Sequence, residues 1–344
     1  MFEVSEDYAP RLTSQTPILT DGRFRALLDN AGEPYRHRII DLNYAPDEGL
    51  QAALVRICAE ARQAVAEGAV LLVLSDRHIH PEKIPVHALL ATGAIHHNLI
   101  EHGIRCEANI IVETGTARDP HQCAVLIGYG ATLVYPYLAY QCLYDLVRSG
   151  EIPVNDTARL ADNYRKGMNK GLFKIISKMG ISTIDSYRGA QLFEIVGLAD
   201  EVVDLCFRGT VSRIQGANFA DMEHDIKRLA WGAWRPRKPP EQGGLLKYVH
   251  GGEYHAFNPE VVASLQKAVN SGDYADYQAF SALVNDRPVA ALRDLLQLKP
   301  GLTPVPLDEV EDEVTILRRF DTAGMSLGAL SPEAHEAMAM AMNR

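Results

Sequence analysis

Short apolar runs recur along the first two-thirds of the chain at intervals of roughly 30 to 40 residues, and a segment with helical periodicity follows most of them. The runs are continuous rather than alternating, which is typical of strands covered on both faces of a parallel sheet. The pattern therefore predicts successive β/α units. We predict their strands at residues 38–42, 69–74, 108–113, 132–137, 180–187 and 202–207.

The helical segments carry apolar residues three and four positions apart, as expected of helices with one buried face. The first of them, residues 50–68, is apolar at positions 54, 57, 58, 61 and 65 and ends at Gly68. A second helix is predicted to open at Pro85 and run towards Gly103. Later helices are predicted over residues 122–127, 190–196, 258–271 and 274–284.

This order of elements predicts an α/β fold in which parallel β/α units form a partial or irregular barrel-like central domain. A helical segment follows it, and then the first strand and helix of a truncated β/α barrel. Two connectors rich in proline and glycine, at residues 235–244 and 299–306, set the divisions. We expect a central α/β domain over 1–234, a linker and mainly helical extension over 235–298, and a connector with the barrel start over 299–344.

The last thirty residues begin a structural unit that they do not complete. An apolar run from Val314 leads into a turn punctuated by Gly324 and Gly328, and Ser331 and Pro332 are suited to the N-cap and first position of a helix. No strand follows before Arg344 for such a unit to pack against. We therefore expect the chain to be a piece of a larger protein.

Composition narrows the class of protein without identifying it. Hydrophobic residues make up 47% and charged residues 23%, which is typical of a soluble globular protein, and the net charge of −10 argues against a nucleic-acid partner. No apolar run approaches the roughly 20 residues that span a bilayer, so no membrane partner is expected. The five cysteines form no CxxC pair, which favours reduced residues in a cytoplasmic protein and predicts no metal site.

Three acidic residues lie at the ends of predicted strands: Asp76, Glu113 and Asp185. The carboxyl rim of a β/α barrel is where active sites are built, so these residues are candidates for acid–base chemistry. Acidic residues at the same rim also cap the helices that follow, and this structural role is the main alternative.

Histidines are the next candidates for chemistry. His78 and His80 could be metal ligands, but no nearby carboxylate or cysteine completes a set. His87, His96, His97 and His102 share one predicted helix at spacings that put no two of them at i and i+4, so structural or surface roles are favoured. The basic stretch of residues 165–174 is interpreted as a solvated helix face, with a contact to an anion or a partner domain as the alternative.

Long segments of the sequence resemble the large subunit of glutamate synthase. They are TPILTD at 16–21, VLLVLSDR at 70–77, IPVHALLATGAIHHNLI at 84–100, ETGTARDPHQCAVLIGYGATLVYPYLA at 113–139, NYRKGMNKGLFKIISKMGISTIDSYRGAQLFEIVGL at 163–198 and GGLLKYVHGGEYHAFNP at 243–259. These strings are long and unusual, so the resemblance is specific, and it extends along nearly the whole chain.

The resemblance implies a four-part enzyme: a glutamine amidotransferase domain, a central α/β domain, an FMN-binding β/α barrel with a 3Fe–4S cluster, and a β-helix. In that family, ammonia from glutamine adds to 2-oxoglutarate, and reduced FMN reduces the resulting 2-iminoglutarate to glutamate. Electrons come from NADPH or NADH through a small partner subunit, or from ferredoxin.

The resemblance places this chain over the central domain and the start of the FMN barrel. The amidotransferase half-reaction and the cluster cysteines are then expected to lie outside it, so no catalytic residue is assigned within it. The turn at the end of the first barrel strand faces the flavin in the family, which implies that Met325, Ser326 and Gly328 lie close to FMN. The piece is expected to be an interdomain scaffold, with residues 165–174 among its contacts, and to bind no cofactor alone.

Two other functions stay open at this stage. The chain could be a stand-alone binding or structural α/β protein that keeps the central-domain fold without catalysis. A third and weaker possibility is an autonomous barrel enzyme that uses Asp76, Glu113 and Asp185; placing these carboxylates far apart in the structure would exclude it.

Overall fold

The computed structural model describes residues 12–29, 35–153, 156–234, 243–321 and 323–343. The chain divides into two compact units, Met1–Pro240 and Glu241–Arg344. The helices and strands of the first unit are α1 (Asp21–Asp29), β1 (His37–Asp41), β2 (Asn43–Tyr44), α2 (Leu50–Ala66), β3 (Leu71–Ser75), β4 (Ile84–Pro85), α3 (Ala88–Glu101), β5 (Asn109–Glu113), α4 (Pro120–Gly128), β6 (Ala131–Tyr135), α5 (Tyr137–Arg148), α6 (Thr157–Lys178), α7 (Ile184–Tyr187), β7 (Glu194–Leu198), α8 (Asp200–Cys206), β8 (Val211–Ala217) and α9 (Phe219–Ala233).

The main sheet of the first unit has four parallel strands in the order β1-β3-β5-β6. Each new strand is added on the same side of the last, and α2, α3 and α4 make the crossovers. This sequential order is that of an open section of a β/α barrel. It confirms the predicted parallel β/α units, and the strands that the structure describes do not close into a barrel.

Both faces of this sheet are buried, which explains the continuous apolar runs. Leu72 and Leu74 of β3 point into the larger core, together with apolar residues of α2, α3 and α4. Leu71 and Val73 alternate with them and point to the opposite face, where Tyr140 of α5 belongs to the same cluster. The period of two along each strand thus supplies two separate hydrophobic cores.

Two predicted strands of the first unit are helices in the structure. Residues 184–187 form α7 because the Thr183 side chain accepts a hydrogen bond from the Ser186 N–H and caps a short helix. Residues 200–206 form α8, in which Val202, Val203 and Cys206 are buried at a helical spacing. Apolar runs as short as these do not distinguish the two-residue period of a strand from the 3.6-residue period of a helix.

The helix predicted over residues 190–196 is also wrong. Gln191 has a left-handed backbone (φ 53°), and residues 194–198 form β7, which pairs in parallel with β8. The pairing partner lies more than ten residues further on, so local periodicity does not reveal it.

The second unit is helical in its described residues, with α10 (Pro259–Ser271), α11 (Tyr274–Asn285), α12 (Glu313–Leu317) and α13 (Pro332–Asn343). The helices α10, α11 and α13 agree with the pattern. The apolar run from Val314, interpreted as a first barrel strand, lies in α12 instead, and residues 243–321 and 323–343 contain no strand. Asp312 caps α12 by accepting a hydrogen bond from the Thr315 N–H.

Candidate functional site

The parallel register brings polar residues together at the carboxyl edge of the main sheet. Ser75 at the end of β3 is paired with Asp41 on one side and with Glu113 on the other, and Glu113 is paired with Tyr135. The residues that follow the strands therefore meet at one edge, as the sequence predicted for Asp76 and Glu113.

Asp76 is the most deeply buried carboxylate of this edge, with 1% of its surface exposed. It accepts hydrogen bonds from the Thr114 hydroxyl and from the Gly115 N–H at 2.9 Å. Burial raises the pKa of Asp76, and these hydrogen bonds act in the opposite direction. The carboxylate is thus held by donors at the end of the neighbouring strand.

Glu113 is also buried and has both carboxylate oxygens occupied. The Ser75 hydroxyl donates to Oε2 at 2.7 Å, and Arg77 Nη1 lies 2.9 Å from Oε1. The Arg77 guanidinium stands over the Tyr137 ring, 4.9 Å from its centroid. Because these contacts join the ends of β3, β5 and β6, they stabilise the edge of the sheet, and the two carboxylates have this structural role in the described residues.

Asp185 does not join this cluster. It lies in α7 with 86% of its side chain exposed and forms an ion pair with Arg188. Its predicted strand is a helix, so the set of three carboxylates at one rim is not assembled. This removes the basis for an autonomous enzyme that uses all three residues.

The predicted histidines have local structural contacts. His87 caps α3, its Nδ1 accepting a hydrogen bond from the Leu89 N–H at 3.2 Å, so this helix begins three residues later than predicted. His102 contacts the Asn98 carbonyl at 2.8 Å, and His80 accepts from the Glu82 N–H. In the described ranges no group of three or more His, Cys, Asp or Glu side chains could hold a metal ion.

His96 is the exception because it contacts a buried arginine. Arg105 donates from Nε to His96 Nδ1 at 2.9 Å, and its other nitrogens donate to the Ala108 and Gly130 carbonyls. Burial, followed by the charge of Arg105, lowers the pKa of His96 to about 3. The imidazole is therefore neutral, with a proton on Nε2. In the sequence, His96 is one of four histidines on one predicted helix, and no motif near it indicates that Arg105 is its partner.

The basic stretch of residues 165–174 lies within α6. Arg165 pairs with Asp162 at 2.9 Å, while Lys166, Lys170 and Lys174 are exposed. The buried residues of α6 are on the opposite face and include Met168 and Leu172. A solvated, basic helix face is therefore what the structure contains.

The turn that contains Met325, Ser326 and Gly328 is exposed on the surface of the second unit. Residues 327–329 form one turn of 3₁₀-helix after Ser326, and the Met325 carbonyl lies 3.0 Å from His335 Nε2 of α13. Met325 is 38% exposed, and a Cβ added to Gly328 would meet nothing within 4 Å. These residues alone do not enclose a planar cofactor, so they do not form a complete flavin site, and we derive no chemical step through one.

The parallel strand order of the main sheet and the helices of the second unit define the class of this protein. It is a sequentially wound parallel α/β protein with a helical second unit. Among the residues that the structure describes, no helix is long and apolar enough to cross a membrane.

Comparison with known proteins gives the family. Residues 1–199 match the glutamate synthase central domain, and residues 255–344 match a conserved region in glutamate synthase. The chain belongs to the glutamate synthase family.

Individual relatives are similar along the whole chain. A ferredoxin-dependent glutamate synthase of Arabidopsis thaliana is 39% identical over 359 residues, which cover 100% of this chain and 22% of that protein. The large chain of glutamate synthase [NADPH] of Bacillus subtilis is 37% identical over 99% of this chain and 22% of its own. Glutamate synthase [NADH] of Schizosaccharomyces pombe is 38% identical over 100% and 17%. The chain thus spans about a fifth of the length of these relatives.

Proposed function

We propose that this chain is the part of a glutamate synthase that holds the central domain and the start of the FMN-binding synthase domain. The observation that carries the proposal is the order of the two family matches, central domain first and conserved synthase region second, along one continuous similarity. The proposed divisions are 1–234, 235–298 and 299–344.

The proposed whole enzyme makes glutamate from glutamine-derived ammonia and 2-oxoglutarate. In this scheme 2-iminoglutarate is reduced by hydride from FMN, and a 3Fe–4S cluster passes electrons on. The partners proposed for this chain are the amidotransferase and FMN-barrel domains, together with either a small NAD(P)H-oxidising subunit or ferredoxin. Relatives named for ferredoxin, NADPH and NADH are similar to this chain to nearly the same degree, so these similarities favour no donor.

Within that enzyme, we assign the chain an interdomain scaffold role without turnover of its own. The oxygens of Asp76 and Glu113 are engaged by strand-end donors, which supports structural roles for both carboxylates. The turn of Met325, Ser326 and Gly328 is proposed to be one edge of the FMN site. Its exposure is consistent with an edge whose other walls come from elsewhere.

A cytoplasmic location belongs to the same proposal. The five cysteines are free thiols, which suits a reducing compartment.

The test is to assay purified chain 1–344 for glutamate formation from glutamine or ammonia with 2-oxoglutarate and an electron donor, beside a full-length glutamate synthase as positive control. We expect no glutamate and no flavin absorption in stoichiometric amount from the chain alone. Turnover, or a bound flavin at one equivalent, would contradict the scaffold role.

The second candidate is a stand-alone, non-catalytic α/β protein. One observation favours this candidate: the described residues of the second unit contain no strand of a barrel. The coding sequence separates the two functions. A frame that continues into further synthase sequence supports the enzyme part, and a stop codon with no amidotransferase frame upstream supports the stand-alone protein.

A further inference from the structure

A cavity of about 300 Å³ lies at the amino edge of the main sheet, on the side opposite the carboxylate cluster. It is lined by α3, by the turn between α4 and β6, by the loop that precedes β7 and by the turn before β8. All of these elements belong to the first unit. A volume of this size is at the lower end of the range of small-molecule sites.

The lining of the cavity includes the nitrogen-bearing side chains of Arg208, His97 and His96. His97 Nε2 is a buried atom that has no hydrogen-bond partner in the described residues, and such atoms are rare without a reason. Burial is the main cause that lowers the pKa values of both imidazoles. Nearby charge lowers them further, from Arg105, His97 and Arg188 at His96 and from Arg208 at His97.

In the described residues, Arg105 donates to acceptors that carry no charge: one neutral imidazole and two carbonyl oxygens. Arg188 and Arg208 are each paired once, with Asp185 and Glu101. The described lining of the cavity includes the guanidinium of Arg208 and no Asp or Glu side chain, which favours an anion there.

The same lining includes apolar and aromatic side chains. Tyr129 and Phe193 are stacked with ring centroids 5.7 Å apart, and Ile100 also belongs to the lining. A flat or aliphatic body would be removed from water against these side chains. The lining therefore suits a molecule that carries both a charged group and an apolar body.

We propose that this cavity binds a small organic carboxylate, with its carboxylate group at Arg208 and His97 and its apolar body against Tyr129 and Phe193. A guanidinium has five N–H donors in a planar fork that suits a carboxylate. Arg208 also forms an ion pair with Glu101. Glu101 then competes with the ligand for Arg208. This site does not rest on the proposed function, because its lining residues all belong to the first unit and none of them is part of the carboxylate contacts at the carboxyl edge of the main sheet.

The probe is benzoate, titrated into the full chain and followed by the backbone amide NMR signals of Gly189, Gly209 and Thr210. Benzamide is the uncharged isostere, and inorganic phosphate is the anion without an apolar body. We expect saturable shifts with benzoate and at least about tenfold weaker binding of benzamide and phosphate. No shift with benzoate, equal binding of benzamide, or phosphate binding as tight as benzoate would each overturn the proposal.

Two variants act on the carboxylate end in opposite directions. Arg208→Gln removes the cation and is expected to weaken benzoate binding about tenfold or more, whereas Glu101→Gln removes the competitor and is expected to tighten it. Arg228→Gln is the matched control, since Arg228 is an exposed arginine of α9 with only a long 3.7 Å contact to Asp225. Arg208→Lys keeps the charge without the fork and should bind with intermediate affinity. Unchanged affinity in both Arg208→Gln and Glu101→Gln would refute the assigned carboxylate position.

Discussion

At the residue scale, Asp76 and His96 illustrate how burial acts on groups of opposite charge. Asp76 is held by hydrogen bonds from Thr114 and Gly115. His96 stays neutral because it is buried and because the cation of Arg105 lies next to it. In the sequence, Asp76 is a carboxylate at the end of a predicted strand and His96 is one of four histidines of a predicted helix. Their partners, Thr114 and Arg105, come from other parts of the chain.

Replacing Asp76 with asparagine tests whether its acceptor contacts stabilise the sheet edge. Asp76→Asn keeps the shape but turns one oxygen into an N–H₂ group that faces donors, so we expect a loss of about 1 to 3 kcal/mol in the free energy of unfolding. Asp185→Asn, at the exposed position in α7, should change it by less than about 0.5 kcal/mol. Chemical denaturation measures the change in the free energy of unfolding for both variants. Equal changes would show that the contacts of Asp76 stabilise the protein no more than those of an exposed carboxylate.

The depressed pKa of His96 predicts a loss of stability in mild acid. Between the ordinary value of 6.5 and the folded value of about 3, the unfolded chain binds a proton that the folded chain does not. The contribution of neutral His96 to the free energy of unfolding is therefore complete above pH 6.5 and is lost progressively as the pH decreases below that value. Burial also lowers the pKa of His97, which adds to the same trend.

The variant His96→Asn isolates this contribution, because its Oδ1 takes the place of Nδ1 as acceptor for Arg105 without titrating. We expect it to reduce the stability lost between about pH 7.5 and about pH 5.5 by about 1 kcal/mol. Denaturation midpoints at the two pH values supply the comparison. An identical pH dependence in the variant and the unmodified chain would refute a shifted His96.

At the element scale, close packing of helices explains positions that sequence periodicity treats alike. Gly93 of α3 and Gly167 of α6 are both helical glycines, and both weaken a helix to a similar degree by propensity. In the structure, a Cβ at Gly93 would lie 2.2 Å from the Cys206 carbonyl oxygen, whereas one at Gly167 would meet nothing within 4 Å. The first glycine allows α3 and α8 to approach, and the second has no such role.

Alanine substitutions at these two glycines should change stability in opposite directions. Gly93→Ala forces backbone of α8 away from α3, and we expect it to destabilise the first unit by about 2 kcal/mol or more. Gly167→Ala should stabilise it by about 0.5 to 1 kcal/mol. Thermal unfolding compares the two, and a stabilising Gly93→Ala would contradict the close approach of α3 and α8.

At the scale of the whole molecule, exposed apolar residues are concentrated in the second unit. Leu246, Leu298 and Leu307 are between 86% and 94% exposed, and several more leucines and valines of this unit are more than half exposed. Apolar surface of this extent is typical of regions that contact another protein surface. It is consistent with a unit that packs against other domains.

We expect the isolated chain to associate in a concentration-dependent way through this apolar surface. Changing Leu246, Leu298 and Leu307 together to serine should reduce the association measured by sedimentation velocity, because less apolar surface is then removed from water. Circular dichroism before and after the change checks that the fold is retained. A monomer at every concentration for the unmodified chain would count against the prediction.

Part of this architecture could be predicted from the sequence. The four strands of the main sheet, their crossover helices and α10, α11 and α13 follow from local periodicity and caps, which act within a few residues. The assignments failed where partners are distant: β7 needs β8, and α8 buries Val202 and Val203 against a core made elsewhere. Of the rim carboxylates, Asp76 and Glu113 came together because adjacent parallel strands end in register, and Asp185 did not because its strand is absent.

By itself, the sequence determined the class of fold and the family. Burial on both faces of a parallel sheet requires continuous apolar runs, and long, unusual segments carry a specific resemblance. Only the tertiary structure decided the state of each candidate residue. Whether Asp76 is reactive or bonded, and whether His96 is charged or neutral, depends on the dielectric and the charges that distant segments bring to it. The cavity beside Arg208 likewise exists only where α3, the α4–β6 turn and the loops around β7 meet.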